Sequence, residues 1–122
     1  MEFSNISPYK LGKLGEDIVQ KYLRKKKYKI AAKRFRLYRG EIDLIAYDRD
    51  TLVFVEVKAR SKGSYGLPEE SVNLRKQRQI RKIAEGYLAL NNIDEVECRF
   101  DVISLIFDDE GTYSLSHFKD AF

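Results

Sequence analysis

Asp43, Glu56 and Lys58 are the residues of this chain best suited to carry out a reaction, and they fall close together in the sequence. Asp43 sits in the run Gly-Glu-Ile-Asp-Leu-Ile-Ala, residues 40–46. Glu56 and Lys58 sit in Thr-Leu-Val-Phe-Val-Glu-Val-Lys-Ala-Arg, residues 51–60. Two carboxylates supply hard oxygen ligands for a divalent cation, and an ammonium beside them can balance charge on a phosphate. A Glu-x-Lys by itself says almost nothing, because any sheet with one wet face alternates apolar and charged residues. An aspartate on the neighbouring segment makes the set informative.

Both runs read as strands, joined by the polar turn Tyr47-Asp48-Arg49-Asp50. Side chains alternate along a strand, so Ile42, Leu44 and Ala46 share one face of the first, and Glu41, Asp43 and Ile45 the other. On the second, Val53, Val55 and Val57 oppose Phe54, Glu56, Lys58 and Arg60. With a two-residue turn at Arg49-Asp50, Asp48 faces Thr51, Leu44 faces Val55 and Ile42 faces Val57. That register puts the aliphatic rows on one side and sets Asp43 opposite Glu56. Like charges so placed repel one another, and a cation between them would remove the repulsion.

Asp43 followed by Glu56-Val57-Lys58 resembles the PD-(D/E)xK nuclease signature of the restriction-endonuclease-like fold, with Ile42 where the motif's name has proline. The fuller runs, together with Gly12-Lys13-Leu14-Gly15-Glu16 and Arg99-Phe100-Asp101-Val102-Ile103, resemble the YraN-type uncharacterised protein family, itself similar to archaeal Holliday-junction resolvases. The resemblance covers nearly the whole chain. It implies an α/β sandwich with a mixed central sheet flanked by helices, and a Mg²⁺ or Mn²⁺ site held by Asp43, Glu56 and the Val57 carbonyl. It also implies that the helix-borne Glu16 joins that site, and that DNA, branched DNA included, is the substrate. A homodimer is a further implication, although the sequence shows no heptad or apolar interface stripe.

The 122 residues predict one domain, 1–122, and the 43% hydrophobic content is enough for a modest core. No apolar run reaches the length of a membrane span, and no signal-peptide pattern opens the chain. Cys98 is the sole cysteine, read as a buried structural thiol. Together these fit a cytoplasmic protein with no membrane partner.

The net charge of +4 is unevenly spread. Lys25, Lys26, Arg34, Arg36 and Arg39 belong to a long basic stretch without an acid, and Arg75 and Lys76 to a second. Arg60 follows the candidate site directly. Such clusters are the electrostatic footprint of a polyanion, here DNA held through its backbone.

Ser7-Pro8 predicts a helix start, with Leu11, Leu14, Ile18 and Tyr22 as its apolar stripe and an end near Lys26. Gly12 and Gly15 are poor helix formers and suggest close approach by another backbone. Glu16 either leans over the face bearing Asp43 and Glu56 or simply pairs with Gln20 or Lys13. Residues 28–35 read as a basic strand, and 61–68 as a glycine-rich loop, either a cover for substrate or a plain connector. Residues 70–90 read as a second helix buried through Leu74, Ile80, Ile83, Ala84, Tyr87 and Leu88. Residues 95–107 read as a central strand and 112–118 as a last one. His117, the only histidine, reads as an ordinary strand residue.

Three functions remain open at this point. One is metal-dependent phosphodiester hydrolysis with Asp43, Glu56, Lys58 and Glu16 at its centre. Another is a non-catalytic nucleic-acid-binding or adaptor protein on the same scaffold, since fold does not fix function. A third and weaker one is a soluble protein whose basic face meets ribosomal or transfer RNA.

Overall fold

The computed structural model describes residues 6–63 and 72–122. The elements run α1 (Pro8–Lys25), β1 (Lys29–Leu37), β2 (Gly40–Asp48), β3 (Thr51–Ser61), α2 (Leu74–Leu90), β4 (Glu97–Phe107) and β5 (Tyr113–Phe118). The five strands form one sheet in the order β1-β2-β3-β4-β5. β3 and β4 are parallel, with α2 between them in sequence, and the other neighbours are antiparallel. The expected α/β sandwich with a mixed sheet is the observed architecture.

Each helix covers its own apolar cluster. Leu44, Ala46, Val53 and Val55 pack with Leu11, Val19 and Leu23 of α1. Leu52, Phe54, Phe100 and Val102 pack with Ile80, Ile83, Ala84 and Tyr87 of α2. β3 therefore alternates as its sequence requires, with valines towards α1 and Phe54, Glu56 and Lys58 on the other side.

Both helices are capped at their starts. The Ser7 hydroxyl accepts from the Lys10 amide at 3.2 Å, and Pro8 fills the first turn. Asn73 Oδ1 accepts from the Lys76 amide at 2.9 Å. That cap starts α2 at Leu74; the anticipated start at residue 70 lies outside the described residues, as does the loop beyond Gly63. Leu74, expected in the core, is 66% exposed at the helix's first position.

The line of α1 that is most deeply buried runs through Leu11, Gly15, Val19 and Leu23, while Leu14, Ile18 and Tyr22 flank it. Of the expected stripe, Leu11 lies on that line, and Leu14, Ile18 and Tyr22 pack against the core at its edge. Gly15 lies where a Cβ would come 2.8 Å from Ala59 Cβ, so the close approach is made by a side chain of β3 and not by backbone. Gly12 faces open space. Cys98, expected inside, is exposed on β4.

Among the described residues, no helix is long and apolar enough to cross a membrane.

Candidate active site

The β2–β3 ladder pairs Asp48 with Thr51 and Leu44 with Val55, as the alternation requires, and stops there. One step further, where Asp43 and Glu56 were expected to face each other across regular backbone pairing, the Asp43 side chain takes over. Its Oδ2 accepts from the Val57 amide at 2.8 Å. The carboxylate thus occupies the place of a backbone acceptor and ties the end of β2 to β3.

The alternation of β2 also breaks at this point. Leu44 and Ala46 pack on the α1 side, but Ile42 is buried in the α2-side cluster with Ile45. On β1, Lys33 pairs with Leu44 and Phe35 with Ile42, and Arg34 between them has a left-handed φ of 49°. That backbone reversal is local, and no apolar-polar pattern announces it.

Asp43 and Glu56 line one open cleft of about 680 Å³, together with Glu41, Arg36, Arg39 and, from α2, Lys76 and Gln79. Glu56 is 7% exposed. Its Oε1 lies 3.0 Å from Lys76 Nζ and 3.6 Å from Lys58 Nζ. The Asn73 cap fixes where α2 begins and so aims Lys76 at Glu56.

The acids do not neutralise one another. Burial, then the negative charge of Glu56, pushes the Asp43 carboxyl up to about 7, against the opposing pull of the Val57 amide. Glu16 and Glu41 add smaller pushes in the same direction. Burial lowers the Lys58 ammonium, Glu56 opposes this, and the neighbouring Lys76 charge adds to the lowering. Burial also acts to lower Lys76, but Glu56 outweighs it and Lys76 is raised. One lysine is bound firmly to Glu56, and the other is held nearby with a weakened grip on its proton.

Glu16 pairs with neither Gln20 nor Lys13, the plainer of its two expected roles. It accepts from Arg34 Nε at 2.8 Å, across from α1 to β1. It reaches Asp43 only as an electrostatic influence. Among the described residues, no group of three or more His, Cys, Asp or Glu side chains gathers closely enough to hold a metal ion. Any ion here would rest on the Asp43–Glu56 pair, the Val57 carbonyl and water.

The basic residues divide by position. Arg36, Arg39 and Lys76 line the cleft, and Arg75 lines a groove that adjoins it through Lys76 and Gln79. Arg34 is committed to Glu16, and Arg60 lies near the end of β3. Lys26 lines a separate hollow with Asp48, Arg49 and Thr51 at the far end of the hairpin. Lys25 lies on the face of α1 next to Tyr113 and Leu115. The strand rise of about 3.4 Å per residue separates Asp48 from Asp43 by roughly 17 Å. The stretch that looked like one basic cluster therefore serves two ends of the molecule.

Sequence reasoning missed Gln79 and Glu41 as cleft residues. Gln79 is three positions beyond Lys76 and so on the same helix face, a spacing that could have found it. It also missed a second buried polar cluster. Asp101 is fully buried and accepts from Arg99 Nε at 2.9 Å; His117 Nε2 lies 2.7 Å from its Oδ2. Arg99 reaches on to Asp48 and Tyr28, and His117 Nδ1 is 2.9 Å from the Tyr22 hydroxyl. His117 is thus a partnered residue in a polar lock between β4, β5 and α1. Burial would raise Asp101, but the hydrogen bonds of His117 and Arg99 outweigh it and hold the carboxyl low.

A mixed five-stranded sheet with one helix packed on each face makes this a small α/β protein. The model of the family described as Uncharacterised protein family UPF0102 matches residues 15–105, and the chain belongs to that family. The matched span holds Glu16, Asp43, Glu56, Lys58, Lys76 and Asp101. Relatives that carry the same family name include a protein of Clostridium beijerinckii, 42% identical over 92% of each chain. One from Alkaliphilus oremlandii is 44% identical over 93% of this chain and 97% of its own. One from Caldanaerobacter subterraneus is 46% identical over 82% of each.

Proposed function

We propose that the protein is a metal-dependent phosphodiesterase acting on DNA, a PD-(D/E)xK-type nuclease on a restriction-endonuclease-like sandwich. The observation that carries this reading is the convergence of half-buried Asp43 and buried Glu56 on one cleft, with Asp43 driven up to about 7. Two like charges brought together in a low-dielectric site cost stability, and such strained titration marks functional sites. The Asp43 and Glu56 carboxylates and the Val57 carbonyl fit Mg²⁺ or Mn²⁺, which take hard oxygen ligands and retain several waters. Bound there, the ion would supply a Lewis acid that activates water and offsets charge on the scissile phosphate.

The chain's own residues account for the remaining requirements. Val57 N–H holds the Asp43 carboxylate in a single orientation. Lys76 holds the Glu56 carboxylate in place. Lys58, its ammonium destabilised by burial, positions the attacking water or stabilises charge on the phosphate as it develops. Glu16, itself held by Arg34, tunes the potential at Asp43 from α1. Arg36 and Arg39 grip the sugar-phosphate backbone at the rim without reading sequence.

A second reading is supported by the two ammonium groups on Glu56, which partly compensate the acid pair without an ion. A non-catalytic DNA-binding module would use the cleft in that form. Cleavage assays separate the two. Asp43→Ala and Lys58→Ala are each expected to abolish Mg²⁺-dependent cleavage of labelled DNA while leaving DNA affinity within a few-fold of wild type. Cleavage that survives both substitutions would refute the assignment of roles.

A further inference from the structure

The β1–β2 turn is built in a costly way. Leu37 pairs with Gly40, leaving Tyr38 and Arg39 as the two turn residues, and both are left-handed, with φ of 51° and 59°. Two-residue hairpin turns of this kind favour Asn-Gly, because a Cβ is strained at both positions. A bulky aromatic followed by an arginine is a poor choice for the fold alone, and strain of this kind persists where surrounding structure enforces it.

Here the enforcement is visible. A Cβ on Gly86 of α2 would come 2.2 Å from Leu37 Cδ2 and 3.3 Å from Tyr38 Cε2. A Cβ on Gly40 would come 2.6 Å from Ile83 Cδ1. Glycines on both sides let the turn seat directly on α2, so it is a fixed platform and not a loose tip.

On that platform Tyr38 is 55% exposed, with Lys82 Nζ 4.9 Å from its ring centroid. Arg75 and Arg78 line the same groove, which runs into the acid cleft through Lys76 and Gln79. An exposed aromatic held rigid among cations is how proteins take up unpaired nucleobases: the ring stacks on the base while the cations track the backbone.

We infer that Tyr38 is a stacking platform for an unpaired base of the DNA strand entering the cleft, and that it gives the protein a preference for single-stranded or flapped DNA over blunt duplex. This rests on the nucleic-acid reading proposed above, but not on cleavage. A fully stacked duplex offers Tyr38 no free base face, whereas a tail or flap does.

The chain has no tryptophan, so Tyr38→Trp would introduce a single indole at the site in question, excitable to the red of the tyrosines. Titration of this variant with fluorescein-free oligothymidylate is expected to quench the indole emission. Blunt duplex, bound to the same extent by anisotropy of a labelled strand, is expected to leave it unchanged. In parallel, Tyr38→Ala is expected to weaken oligothymidylate binding about five- to hundredfold, the range for loss of one stacked base, with duplex affinity within twofold of wild type. Tyr38→Phe is expected to retain the affinity. Oligothymidylate binding without quenching, equal loss on both DNAs in Tyr38→Ala, or no measurable binding of oligothymidylate would each overturn the inference. Quenching in a protein that cleaves nothing would leave it standing and remove the nuclease reading alone.

Discussion

Asp43 carries two tasks that pull against each other. As an acceptor for Val57 N–H it closes the end of the central hairpin. As a half-buried carboxylate beside Glu56 it destabilises the folded chain whenever it is ionised. Its folded pKa, about 7, lies above the ordinary 3.8, so the folded state holds its proton more tightly than the unfolded chain does. The stability contributed by that proton is present at low pH and is lost as pH rises from about 4 through 7. Asn at this position can still accept the Val57 amide and cannot ionise. In the presence of a chelator, Asp43→Asn is expected to be more stable than wild type by on the order of 2 kcal/mol at pH 7.5, with the gap closing towards pH 4. Urea melts across that range would check it, and a gap that is constant or reversed in sign would contradict the shift. Asp101 behaves in the opposite sense. Its carboxyl is held low by His117 and Arg99, so its contribution is present above the ordinary aspartate value and fades only in acid. Buried Asp101 is thus matched to its surroundings and half-buried Asp43 is not, and the mismatched one lines the cleft.

The two glycines of α1 separate helix propensity from packing. Gly15 is wedged against Ala59 and Leu105, and Gly12 meets nothing within 4 Å. Gly12→Ala is expected to stabilise by up to about 1 kcal/mol through helix propensity. Gly15→Ala gains the same propensity, but its Cβ would lie 2.8 Å from Ala59 Cβ. Overpacking costs of about 1–3 kcal/mol outweigh the gain. Ala59→Gly in the Gly15→Ala background is expected to recover most of the loss, as chemical denaturation of the four proteins would show. If Gly15→Ala stabilises, the contact between α1 and β3 is looser than described. At this scale the sequence was legible wherever one signal dominated. Ser7-Pro8 marked the start of α1, the valine row of β3 fixed which way Glu56 and Lys58 point, and the run 102–107 marked β4. It was not legible where tertiary contact chose between equal signals. The stripe of α1 centres on Val19 and Leu23 because those residues meet the valine row, and helical spacing alone cannot select them over Ile18 and Tyr22.

At the scale of the molecule, the basic residues that read as one block are divided by the fold between the cleft and the far end of the hairpin. Charge runs are continuous in sequence, but a strand carries successive side chains to opposite faces and away along its length, so a linear cluster need not be a surface patch. The carboxylate pair was more readable, because the register of a hairpin with a buried face is tightly specified and brings Asp43 near Glu56 even though the ladder ends one step earlier. The pairing of Glu16 with Arg34 was not readable, since it depends on the left-handed backbone of Arg34 and on where α1 docks.

Everything proposed about catalysis requires that the cleft accept a divalent cation in exchange for a proton. Calorimetric titration with Mn²⁺ at pH 7, repeated in buffers of different ionisation enthalpy, measures both events at once. Wild type is expected to bind with release of a fraction of a proton, because Asp43 titrates near 7, and Asp43→Asn is expected to lose the binding. Absence of Mn²⁺ binding to wild type, or binding that Asp43→Asn leaves intact, would contradict the account.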